Sequence, residues 1–286
     1  MTEYAYGKLN LSLDVLGKRD DGYHAMRMVM QSVRFGDEVE AELTEDGSFS
    51  LDPGKPYLPR DEKNLALRAA RVFPLPAGTG ARIRIRKRIP VCAGMAGGSA
   101  DAAAVLRAMN RLTGETLDAA ELMRLGAQVG SDVPYCLAGG TMLAEGRGEI
   151  LSPLPALPEC DIALCKPGFS VSTPELFREL DRRRIRIRPD TDGLIRALEN
   201  GDLRQIGQYL FNVFEDALPR SCGREVAAIR SVLLDCGAVG ACMTGTGSTV
   251  FGLFDRRNAA EEAVRRLRRD YSETHLTAPV GAAMTL

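Results

Sequence analysis

The chain has 286 residues, 45% of them hydrophobic and 26% charged, with a formal net charge of −1. That length supports one large or two modest domains with substantial cores. The near-neutral balance argues against a general nucleic-acid or membrane-surface binder, and no apolar run approaches the roughly 18 residues of a membrane span.

Residues 4–16 alternate, with Leu9, Leu11, Leu13 and Val15 set against Lys8, Asn10, Ser12 and Asp14. This is the period-two pattern of a strand with one buried and one polar face. Asparagine is mildly disfavoured inside a strand, yet Asn10 presents a donor and an acceptor to the same side as Lys8. A turn-rich loop at 17–24 leads into two expected strands, 26–35 and 37–43. Residues 61–65 open a helix with its body at 66–73, and Pro74, Pro76 and Gly78 end it. Arg82, Ile83, Arg84, Ile85 and Arg86 alternate again as a strand, and Pro90, with no N–H to give, stops the ladder.

Gly94, Met95, Ala96, Gly97, Gly98 and Ser99 follow, and then an Ala-rich helix is expected from about residue 100 to 112. Strand, glycine loop and helix start form a shape suited to phosphate. Glycines let backbone N–H groups approach an anion, and the helix end adds unpaired donors and partial positive charge. The same loop could equally be a tight turn. No Gly-Lys-Ser/Thr closes it, and its spacing is not Gly-x-Gly-x-x-Gly. Ala96 is tolerable there if its φ is negative or its Cβ points away from the anion.

A second helix is expected at 118–129, with Asp118 and Glu121 at capping-box spacing and Gly130 at the position after the cap. Asp132, before Val133-Pro134, reads from composition as a turn residue. Residues 141–145 form a strand, and Pro153, Pro155 and Pro158 mark a boundary between domains 1–155 and 156–286. Beyond it a short strand at 160–166 precedes a helix to Leu180, with Thr173 as N-cap and Pro174 at the first helical position. A charged loop at 182–192 and helices at 192–200, 203–214, 223–236 and 258–269 follow. Between the last two lies a second glycine segment that includes Thr244, Gly245, Thr246, Gly247 and Ser248. The arginine clusters at 182–188 and 265–269 have acidic neighbours and read as solvated faces. The seven scattered cysteines, without a Cys-x-x-Cys pair, and the two histidines argue against a zinc site. Buried, reduced thiols of a cytoplasmic protein are the expectation, and no basic-then-apolar signal segment opens the chain.

The run Pro90-x-x-x-Gly94-Met95-x-Gly97-Gly98-Ser99-Ala100 resembles the central motif of the GHMP small-molecule kinases, although Met95 and Ala96 replace the usual leucine and glycine. The 131–134 and 241–251 segments resemble that family's other two motifs, in its order. Lys8-Leu-Asn10 and Asp21-Gly22-Tyr23-His24 resemble one subgroup, whose members phosphorylate a cytidine-diphosphate-capped branched polyol of the non-mevalonate isoprenoid route. The resemblance implies an α+β, two-domain fold, with an N-terminal domain like domain 2 of ribosomal protein S5 and a ferredoxin-like C-terminal domain. It implies ATP and Mg2+ as cofactors, with metal ligands that the motifs do not identify, and a small-molecule partner rather than nucleic acid or membrane. It also implies Asp132 as the base at the C2 hydroxyl, Lys8 as the cation beside it and Asn10 as the group orienting that hydroxyl. Asn64 would lie near adenine. Gly94 to Ser99 would hold the phosphates, with Gly245 and Gly247 closing from the other domain. Tyr23 and Phe177 would sandwich the cytosine, and His24 would read its edge. Another GHMP kinase, or a non-catalytic ligand-binding relative, is the alternative; the Asp-Gly-Tyr-His run speaks against the first, and retention of Lys8 and Asp132 against the second.

Overall fold

A computed structural model describes residues 1–183 and 185–283. The chain opens with β1 (Thr2–Lys18), β2 (His24–Thr44), β3 (Phe49–Asp52), α1 (Leu65–Val72), β4 (Gly80–Arg86), α2 (Gly97–Leu112), α3 (Ala119–Val129), α4 (Val133–Ala138), β5 (Thr141–Gly146) and β6 (Ile150–Pro153). It continues through β7 (Asp161–Cys165), α5 (Thr173–Arg182), α6 (Thr191–Glu199), α7 (Leu203–Gln208), β8 (Phe211–Asn212), α8 (Phe214–Ala217), α9 (Arg220–Asp235), β9 (Gly240–Met243), β10 (Val250–Phe254), α10 (Arg257–Leu267) and β11 (Thr274–Thr277).

Strands β3-β4-β2-β1-β8 form the first sheet in that order, with β5 and β6 branching from β2. The two strands expected at 26–35 and 37–43 are one. Gly36 lets the chain run straight past β1, because a Cβ there would sit 2.5 Å from the Ala5 carbonyl oxygen. The outer half of β2 pairs with β4, and the inner half pairs with β5. Helices α1 and α2 cover one face through Ala69, Ala70, Ala103, Val105 and Leu106, all fully buried. Alanine at these positions permits close helix-to-sheet approach at no cost in side-chain entropy.

The second sheet is antiparallel throughout, in the order β11-β7-β10-β9. Its chain order of strand, helices, two strands, helix, strand is the ferredoxin-like pattern. The helix expected at 203–214 breaks, because Phe211 and Asn212 leave it to pair in parallel with Ser12 and Leu13 of β1. β6 and β11 were not expected; both are four residues long, too short to show a period. The capping box on α3 is present, with Asp118 and Glu121 each bonded to the other's backbone. Gly130 is itself the C-cap of that helix, in extended backbone, rather than the residue after the cap. Thr173 is not the cap of α5: Ser172 occupies that position. All seven cysteines are free, and Cys92 is exposed rather than buried. Arg265 and Arg266 pair with Glu262 as a solvated helix face, but Arg188 departs from that reading and bonds Asp14, which is buried on β1. Among the described residues no helix is long and apolar enough to cross a membrane.

Candidate active site

The polar face of β1 is not wet. Lys8 is 5% exposed and Asn10 and Ser12 are fully buried, because the loop after β9 lies over Asn10 and Thr191 of α6 and Phe211 of β8 meet Ser12. Lys8 Nζ donates to Asn10 Oδ1 at 2.5 Å, and the Gly245 N–H donates to the same oxygen at 3.0 Å. Asn10 N–H in turn donates to Thr244 Oγ1 at 3.0 Å. Asn10 Nδ2 meets only the Met28 sulfur, at 3.4 Å. The amide oxygen therefore sets Lys8, while Nδ2, with only a sulfur acceptor, keeps a donor for a bound hydroxyl. Burial lowers the Lys8 pKa from its ordinary value, opposed by the charge of Asp132. The two side chains interact through space without forming a contact ion pair.

Asp132 holds the N-cap position of α4, but its carboxylate makes no cap hydrogen bond. The helix behind it is fixed from several sides. Tyr135 OH donates to the Gly140 carbonyl at 2.8 Å and lies 3.1 Å from Ser32 Oγ, and Arg107 donates to the Cys136 carbonyl at 3.1 Å. Among the described residues this carboxylate, on a rigid helix end, has no hydrogen-bond partner of its own.

Helix α2 begins at Gly97, so Gly97, Gly98 and Ser99 form its first turn instead of preceding it. Ala96 is its N-cap at φ 55, the left-handed region, so the condition of negative φ is not met. Gly94 and Gly245 are glycines because the two loops touch: a Cβ on Gly94 would lie 2.2 Å from the Thr244 carbonyl oxygen, and one on Gly245 would lie 2.6 Å from that of Gly94. Met95 buries its side chain in the core and offers the site only backbone, its carbonyl accepting from Lys8 N–H at 3.1 Å. Asn64 caps α1, accepting from Ala66 N–H at 3.0 Å, and lines the same cavity as the loop. Beneath that loop Lys87, missed in the sequence because it looks like the end of a basic strand, sits 2.5 Å from Asp37 and 2.7 Å from Asp101.

Two cavities meet here. One, of about 410 Å³, runs along the glycine loop past Asn64 and Leu65; the other, of about 630 Å³, holds Lys8, Asp132, Tyr23, His24 and Phe177. Gly94, Ala96, Thr173 and Thr246 line both. The Thr173 and Thr246 hydroxyls lie 2.8 Å apart and tie the start of α5 to the loop after β9 at this shared wall. In the larger cavity Phe177 stacks on His24, not on Tyr23, with ring centroids 4.5 Å apart, and meets Phe214 edge-on. His24 Nε2 pairs with Asp181 at 2.8 Å. Tyr23 is 55% exposed, with the Arg147 guanidinium 4.9 Å over its ring. Tyr23 and Phe177 do not touch each other, and all three side chains line one cavity.

Adjoining cavities, one at a phosphate-type loop and one beside a lysine and an unpartnered carboxylate, allow a phosphoryl group to pass between two bound molecules. The class of protein that this fold and cleft define is a small-molecule kinase. Residues 64–140 match the family described as GHMP kinases N terminal domain, and residues 194–273 match GHMP kinases C terminal. The chain belongs to the GHMP kinase family. It is 40% identical over 277 residues to the 4-diphosphocytidyl-2-C-methyl-D-erythritol kinase of Clostridium botulinum (strain Alaska E43 / Type E3), covering 96% of this chain and 98% of that one. It is 43% identical to the protein of that name from Acetivibrio thermocellus, with 96% of each chain covered. A crystal structure of 4-(cytidine 5'-diphospho)-2C-methyl-D-erythritol kinase superposes with a TM-score of 0.81 at 32% identity, covering 98% of this chain and 100% of that one. Homoserine kinase from Cytophaga hutchinsonii, at 20% identity and a TM-score of 0.75, shares the fold.

Proposed function

We infer that the chain transfers the γ-phosphoryl group of ATP to the C2 hydroxyl of 4-diphosphocytidyl-2-C-methyl-D-erythritol. The observation that carries this reading is the shared wall of the two cavities, with the glycine loop on one side and Lys8 and Asp132 on the other. ATP would lie along Gly94, Met95, Ala96, Gly97, Gly98 and Ser99, near Asn64, with Gly245 and Gly247 opposite. An alkyl hydroxyl is a poor nucleophile at neutral pH, and a positioned carboxylate can take its proton as the bond to phosphorus forms. Asp132 is the proposed base. Lys8, fixed by Asn10, is the proposed cation for charge developing on the transferred group.

Magnesium belongs to this proposal. Among the described residues no group of three or more His, Cys, Asp or Glu side chains forms a metal site. Mg2+ needs no such cluster, since it is commonly held by one or two protein oxygens together with phosphates and water. The Ser99 hydroxyl, in the cavity along the glycine loop, is the protein oxygen that would hold it. Bound there, the ion would neutralise phosphate charge.

Tyr23, His24 and Phe177 are proposed to take the cytosine. Stacking alone is tolerant of any base, so selection falls to hydrogen bonds at its edge. The His24 ring already stacks on Phe177 and bonds Asp181, so its backbone and remaining ring nitrogen are the groups left for that edge. The domain boundary proposed at residue 155 is supported by its position between β6 of the first sheet and β7, the first strand of the second. ATP turnover with a panel of alcohols tests the reading. The cytidine-capped polyol should react, and its uridine analogue should react far more slowly. Equal turnover of both would favour a kinase for a plain alcohol.

A further inference from the structure

Asn212 lies where the expected helix breaks, and its side chain is only 3% exposed. Its backbone pairs with Leu13 of β1, the strand that carries Lys8 and Asn10. Nδ2 donates two hydrogen bonds, to the carbonyls of Met243 at 2.7 Å and Gly245 at 2.8 Å, while Oδ1 accepts from Phe214 N–H at 3.0 Å. The Gly245 peptide thus has Asn212 on its carbonyl and Asn10 Oδ1 on its amide. Glu215 secures the entry to the same loop by accepting from Met243 N–H at 2.8 Å.

Two carbonyl oxygens aimed at one point need a two-proton neutral donor between them, and a primary amide supplies that. A buried carbonyl without a donor costs free energy, so the loop would move to find one. Any such movement passes through the Gly245 amide to Asn10, and from Asn10 to Lys8.

We propose that Asn212 is a positioning residue that holds the second glycine loop in register with Asn10 and Lys8, and so aligns the ATP side of the cleft with the reacting hydroxyl. The proposal rests on the kinase reading given above. It separates two functions of one short segment: Asn212 serves the phosphate side, and Phe214, against Phe177, serves the nucleobase side.

Asn212→Asp keeps shape and the acceptor for Phe214 N–H, and replaces the donor pair by an oxygen facing two carbonyls. Displacement of reacting groups by about 1 Å can cost 100-fold in rate. The variant should therefore lose about 10- to 100-fold in kcat and bind a non-hydrolysable ATP analogue at least about fivefold more weakly. Calorimetry with cytidine diphosphate should still show one site per chain, within about threefold of wild-type affinity. Asn212→Ala, which removes the donors without adding charge, should show the same split between the two ligands. Wild-type kcat in Asn212→Asp, equal weakening of both ligands, or failure of both variants to fold would overturn the assignment. If the wild-type chain does not phosphorylate the cytidine-capped polyol, the substrate reading fails on its own; Asn212 is then judged by the ATP analogue, and unchanged affinity in both variants overturns its role.

Discussion

The Gly245 amide and the Lys8 ammonium meet at one oxygen, Asn10 Oδ1, from opposite sheets of the molecule. A residue on the first strand and a loop 235 positions later along the chain share a single acceptor. This contact turns the polar face of β1 from a solvent face into the floor of a cleft.

Keeping Lys8 there destabilises the fold. Burial lowers its pKa, so the folded chain holds that proton less tightly than the unfolded chain does. Below the lowered value both states are charged and the penalty is constant; as pH rises from there toward the ordinary 10.5 the penalty is relieved. Lys8→Met should therefore melt higher than wild type at neutral pH, with the gap closing at alkaline pH. Its kcat should fall by about 100-fold or more, as expected for removal of a preorganised charge. A lower melting temperature with turnover intact would make the lysine structural.

The loop glycines differ in what a side chain would meet. A Cβ on Gly97 points inward, 3.0 Å from Ile89 Cγ2 and 3.4 Å from Lys87 Nζ, whereas one on Gly98 has only Leu65 Cδ1, at 3.8 Å. Gly98→Val should thus fold normally and raise the apparent KM for ATP by about tenfold or more, leaving that for the alcohol nearly unchanged, because the branched carbon enters the proposed phosphate path. Gly97→Val should instead lower the melting temperature. Steady-state kinetics and thermal melts on the pair separate the two; equal KM changes for ATP and alcohol in Gly98→Val would place the phosphates elsewhere.

Much of this arrangement was legible in the sequence. The three glycine and carboxylate motifs, the Asp118 capping box and the strand period of β1 depend on neighbours within a few residues, and each is present. What the sequence concealed depends on distant partners. The face of Lys8 and Asn10 reads as polar because its cover comes from Thr244 and Gly245. Gly36 reads as a break because nothing local shows that Ala5 will crowd it. Asn212 reads as helical because its reason to leave the helix lies on β1. His24, not Tyr23, stacks on Phe177 because Asp181 of the opposite domain holds the imidazole.

Asp101 provides a pH signature. Burial, with the nearby charge of Asp37, outweighs Lys87 and pushes its carboxyl up to about 8 from 3.8. The folded chain therefore binds a proton that the unfolded chain releases, and stability from this group is lost as pH rises from about 4 to about 8. Asp101→Asn keeps an acceptor for Lys87 and removes the titration. The melting temperature of the variant relative to wild type should rise between pH 5 and pH 8.5; a difference constant across that range would mean that Asp101 does not titrate there.

The most direct measurement is single-turnover phosphorylation of 4-diphosphocytidyl-2-C-methyl-D-erythritol by wild type and Asp132→Asn, with binding of an ATP analogue measured on the same preparations. The substitution preserves shape and removes the only group proposed to take the hydroxyl proton. The account predicts phosphorylated product from wild type, a rate at least about 100-fold lower from Asp132→Asn, and unchanged ATP-analogue affinity. A variant rate within about threefold of wild type would contradict it, since a general base contributes on the order of 100-fold or more.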